Sequence, residues 1–73
     1  MPTTVIWQEN GRRWLRQPGA EPGSVLSLHT QLGRRVRQVA QSQMELTDLP
    51  IGGYLLRVQL PDGTVHVLPV QLL

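Results

Sequence analysis

A chain of 73 residues is one small domain, and at this size folding removes only about 60% of the surface the unfolded chain exposes. It has no Cys, which excludes disulfides and thiolate zinc sites, and its two His, His29 and His66, fall short of a structural zinc's ligand set. Net charge is +2, from seven Arg and no Lys against five carboxylates; that balance bears on solubility and weak nonspecific binding rather than on fold.

The apolar residues are Val, Leu and Ile without Phe, which favours strands. "TTVIWQ" (Thr3–Gln8) and "RRWLRQ" (Arg12–Gln17) flank Asn10-Gly11, the dipeptide of a two-residue hairpin. The second run alternates, with Arg12, Trp14 and Arg16 on one face and Arg13 and Leu15 on the other. "PGAEPGS" (Pro18–Ser24) is a loop, because two Pro and two Gly interrupt any regular element.

"VLSLHT" (Val25–Thr30) predicts a strand with Leu26 and Leu28 inward and Val25, Ser27 and His29 outward. Gly33 supplies the following turn, and "RVRQVA" (Arg35–Ala40) returns with Val36 inward between Arg35 and Arg37. Its period breaks at Gln38-Val39, where a bulge is expected. "QMEL" (Gln43–Leu46) is a short strand. "YLLRVQL" (Tyr54–Leu60) sets Tyr54, Leu56, Val58 and Leu60 on one face. "PDGT" is a turn: Pro61 presets φ, Asp62 bonds its own backbone and Gly63 takes the left-handed position. In "VHVLPVQLL" the inward set is expected to shift from Val65 and Val67 to Leu68, Val70 and Leu72, with an irregularity near Leu68-Pro69. Pro69, lacking an N–H, belongs on an edge strand or bulge.

Six or seven short antiparallel strands separated by turn signals predict an all-β domain over residues 1–73, a small immunoglobulin-like β-sandwich. "LTDLPIGGY" is then the corner between the sheets. Leu49 plugs the core, Pro50 stiffens the crossing, and Gly52 and Gly53 permit close approach. Tyr54 latches the turn through a hydroxyl bond to backbone just upstream.

Together, "SVLSLHTQLGRRV" and "LTDLPIGGYLLRVQLPDGTVHVLPVQL" resemble the C-terminal sorting domain of the type IX secretion system, a family of Ig-like β-sandwiches at the end of cargo proteins in certain Gram-negative bacteria. Gly33, Arg34 or Arg35, and Val36 match the family's first block. Asp48, Leu49, Pro50, Gly52, Tyr54, Leu56, Arg57 and Val58 match its second, and a short last strand follows. The chain departs from the pattern at His29-Thr30, where tyrosine-aspartate is usual, and at Gly53, where a β-branched residue is usual.

The resemblance implies a non-catalytic targeting module without cofactor or metal. Its partners would be the outer-membrane translocon, its shuttle protein and a sortase-like peptidase. By the same resemblance, recognition falls on Gly33 and Arg34, on Asp48, Leu49, Pro50, Gly52 and Tyr54, and on Val70, Gln71, Leu72 and Leu73. The protein would reach the cell surface or exterior through the periplasm, and any cleavage point would lie near or before Thr3.

Other readings have less behind them. Ser24, Ser27 and Ser42 lack a nucleophile-elbow context, and His29 and His66 fall on strands, so no triad is expected. Arg12, Arg13, Arg16, Arg34, Arg35 and Arg37 with Trp7 and Trp14 suggest a nucleic-acid surface. Interspersed Glu9, Glu21 and Glu45, and alternation that splits the Arg between faces, argue against one. The main alternative is an adhesive or carbohydrate-binding Ig-like module, although Trp in a small domain without Phe is expected in the core. No stretch approaches a membrane helix, and the start lacks the basic and apolar regions of a signal peptide.

Overall fold

The first turn forms on local chemistry alone. In the computed structural model, which describes all residues from Met1 to Leu73, Asn10 and Gly11 adopt φ of +53° and +75°. A type I′ turn requires positive φ at both positions, and its twist matches that of the strands it joins. The hairpin pairs β1 (Val5–Glu9) with β2 (Arg12–Arg16), and β2 pairs in turn with β5 (Gln43–Glu45).

The second sheet has the order β4-β3-β6-β7, built from β3 (Val25–Thr30), β4 (Arg35–Val39), β6 (Gly52–Gln59) and β7 (Val65–Leu72). All seven strands pair antiparallel in two sheets of three and four. In the constant-type immunoglobulin arrangement the fourth strand sits with the first, second and fifth; here it lies beside the third.

Period-2 patterning decides what the sheets bury. Leu15 and Met44 come from the smaller sheet; Leu26, Leu28, Tyr54, Leu56, Val58, Val70 and Leu72 come from the larger, and Leu46 closes between them. Val36, Val39, Leu49, Leu60 and Leu68 pack against this core from its margins. The opposite end is tied by Gln17, wholly buried, whose amide donates to the carbonyls of Pro2 (2.7 Å) and Pro18 (3.0 Å) and accepts from the Thr4 hydroxyl.

Four local expectations need correction. The bulge lies at Val36, not at Gln38-Val39: His29 faces Arg35 and Leu28 faces Arg37, leaving Val36 as the extra residue. Arg37 consequently shares Leu28's inward face, while Val36 still packs on the core. β7 runs without a break from Val65 to Leu72 against β6, so Val65 and Val67 stay outward at 41% and 58% exposed. Pro69 is accommodated because β7 is an edge strand. Ser27, although outward, is buried, and its hydroxyl lies 3.4 Å from the Gln38 amide oxygen. Finally, both Trp lie outside the core, half-buried on the outer face of the smaller sheet.

Candidate functional site

The corner is held by the bond its sequence suggested. The Tyr54 hydroxyl donates to the Pro50 carbonyl at 2.6 Å, and the Leu49 N–H donates to the Leu46 carbonyl at 3.0 Å. Gly52 follows at φ +141°, a region nearly closed to residues with a Cβ. The corner reverses the chain, seats Leu49 against the core and delivers Tyr54 to the start of β6.

Two arginines fasten it to the rest of the molecule. Arg37 reaches from β4 to the Glu45 carbonyl (2.6 Å) and to the Asp48 carboxylate (2.7 Å), so a residue of the four-stranded sheet clamps the last strand of the other. The hydrogen bond from Arg37 holds the Asp48 carboxyl below its ordinary range, and the same bond raises the guanidinium. Arg13 acts from the other side: its carbonyl accepts from Leu46 N–H (2.8 Å), its N–H donates to the Thr47 hydroxyl (3.0 Å), and its guanidinium donates to the Leu73 carbonyl (3.1 Å).

Pairing then gathers distant residues at this end. Thr30 faces Tyr54 across β3 and β6, while Gly53 faces Gln71 and Gly52 faces Leu72 across β6 and β7. The β3–β4 turn is closed by Thr30, whose carbonyl accepts from Gly33 N–H (2.9 Å) and whose hydroxyl accepts from Arg34 N–H (3.2 Å), with Gly33 at φ +91°. A Cβ on Gly53 would meet the Gln31 side chain at 2.5 Å and that of Gln71 at 3.6 Å, so the three segments abut.

Most residues singled out by the resemblance therefore share one end of the sandwich, but they divide by accessibility. Gly33, Arg34, Asp48, Pro50, Gln71 and Leu73 are exposed. Tyr54, Val70 and Leu72 are buried and Leu49 and Gly52 half-buried, so these shape the surface from beneath. Sequence reasoning missed three features. Leu32 (98% exposed) and Ile51 (71%) stand on the same end as Leu73 (87%) and give it an apolar character; large aliphatics beside turn glycines were the available signal. Arg37 as the clamp was hidden, because its inward orientation depends on the bulge.

No family model, curated protein or solved structure matches the chain.

Proposed function

We propose that the chain is a non-catalytic sorting domain of the type IX secretion kind, read by the outer-membrane translocon and its shuttle protein and processed by a sortase-like peptidase. It would direct a fused cargo through the periplasm to the cell surface or exterior of a Gram-negative bacterium. The observation that carries this reading is the convergence, at one end of the sandwich, of the Gly33-Arg34 turn, the Asp48–Gly52 corner and the last residues of the chain. Two sequence blocks and the Val70–Leu73 segment, far apart in the chain, meet at one end of the sandwich.

A rigid face suits such a role. The corner is latched by Tyr54 and clamped by Arg37 and Arg13, so a receptor meets a preformed surface and loses little to ordering it. Leu32, Ile51 and Leu73 offer exposed apolar contact area, and exposed Arg34 adds a cation without an ion-pair partner, the Asp48 carboxylate being held by Arg37.

The test is a fusion of the complete domain to a periplasmic reporter in a host that carries the type IX system. Surface or medium delivery is expected; retention in the periplasm, in a strain exporting its own cargo, overturns the proposal. Deleting β7 is a poor variant here, since it removes buried Val70 and Leu72 and with them the fold.

A further inference from the structure

Only three aromatic side chains are present, two Trp and one Tyr. Tyr54 lies in the core, yet both Trp occupy the outer face of the β1-β2-β5 sheet, where Trp7 stands opposite Trp14. Their rings lie near-parallel, 20° apart with centroids separated by 6.5 Å. In a core otherwise built from Leu, Val and one Met, two indoles left half in water need a reason beyond packing.

The surrounding register supplies one. Glu9 pairs with Arg12 on one side of the indoles, Arg16 stands opposite Val5 on the other, and Glu45 faces Trp14 across β2 and β5. Gln43 lies beside Arg16. The chain's one ion pair is Arg37–Asp48; the side chains of Glu9, Arg12 and Arg16 make no hydrogen bond within the protein, and Glu45 accepts the Thr47 hydroxyl (2.8 Å) at one oxygen and keeps the other free. A shallow depression of about 410 Å³ lies against Trp14, bounded by Glu9, Asn10 and Arg12.

We infer that this face is a binding platform for an uncharged oligosaccharide, the two indoles stacking on pyranose rings and the flanking carboxylates and guanidiniums engaging their hydroxyls. A pyranose presents an apolar C–H face and a hydroxyl rim, which matches an aromatic surface edged by both acceptors and fork-shaped donors. Charge selects the ligand class. Two Arg and two Glu around the indoles offset one another, so the platform attracts neither polyanion nor polycation. A single-stranded nucleic acid would bring phosphates against Glu9 and Glu45, opposite to the uniformly basic groove such ligands need. The paired indoles face away from the core, and although Trp7 also borders a depression shared with Gln71 and Leu73, sugar binding is tested without any reference to sorting.

The experiment uses the 73-residue chain, whose only two Trp both lie in the platform, so indole emission reports on it directly. Cellohexaose, laminarihexaose, maltohexaose and chitohexaose are titrated by fluorescence and by calorimetry. Saturable binding of at least one is expected, insensitive to added salt. Exposed Arg16→Gln is expected to weaken it about tenfold, the equivalent of one hydrogen-bonded contact, with an unchanged melting temperature. Trp14→Ala is expected to abolish binding. Three results overturn the inference: no saturable response to any of the sugars; binding instead to an oligothymidylate that salt abolishes; or a concentration-dependent dimer that itself shields both Trp. Unaltered affinity in Arg16→Gln would contradict the assigned role of the polar rim.

Discussion

The two sheets use similar residue types for opposite purposes. The four-stranded sheet contributes seven of the ten core side chains, and its β6 and β7 each run for eight residues. The three-stranded sheet sends only Leu15 and Met44 fully inward, and its strands span three to five residues. Its Trp and several of its Arg face solvent instead. Stability therefore resides mainly in the larger sheet, while the smaller one has a free outer face that ligand chemistry can use without cost to the core.

Core truncation breaks that contrast most forcibly. Leu56→Ala, at a wholly buried site on central β6, should destabilise by about 3 kcal/mol, within the range for buried Leu. Ile6→Ala, on edge strand β1 and 37% exposed, should cost about 1 kcal/mol, since less apolar surface is lost. Urea denaturation of both variants measures the gap. Equal losses would show that the smaller sheet is as essential as the larger.

The two glycines at the corner differ in the same way, one fixed by backbone conformation and the other only by a movable neighbour. Gly52→Ala should cost about 1–3 kcal/mol because φ +141° strains any side chain. Gly53→Ala meets chiefly the flexible end of Gln31, which can move aside, so its effect should be about 0.5 kcal/mol or less. Tyr54→Phe should cost about 1 kcal/mol by removing the bond to the Pro50 carbonyl, with thermal melting as the readout.

Acid brings the smallest effect. Asp48 has its pKa lowered on folding, first by its hydrogen bond from Arg37, and Asp62 has its lowered by the Thr64 N–H. A folded pKa below the unfolded value of about 3.9 gives stability that is present above that pH and lost as pH falls through the folded pKa. Asp48→Asn should lower the melting temperature slightly near pH 7, where the paired carboxylate contributes, and flatten part of the decline below about pH 4, so that the two profiles converge in acid. A melting profile from pH 2 to 7 checks it.

Much of this architecture was legible because its signals are local. Asn10-Gly11 and Pro61-Asp62-Gly63 specify turns within a few residues, and the Tyr54 latch spans only four positions. The alternation of Tyr54, Leu56 and Val58 announced the core face of β6 directly. What misled was set by neighbours. The bulge at Val36 depends on how β4 meets β3, and with it the inward turn of Arg37. β7 holds its register through Pro69 because its Pro-bearing side faces no further strand. The Trp pair lies outside because aliphatics already fill the gap between sheets. At the candidate site the motif residues were legible, but their division into exposed contacts and buried supports required the pairing of β3, β6 and β7.

If the exposed corner end, rather than the fold alone, carries the proposed sorting signal, charge placed on that end should block export of an otherwise folded domain. The most direct measurement is export of a periplasmic reporter fused to the domain bearing Ile51→Asp and Leu73→Asp, two exposed positions whose change spares the core. The expected result is a melting temperature within a few degrees of the parent together with accumulation of the reporter in the periplasm. Export of that folded variant at the parent's level would contradict it.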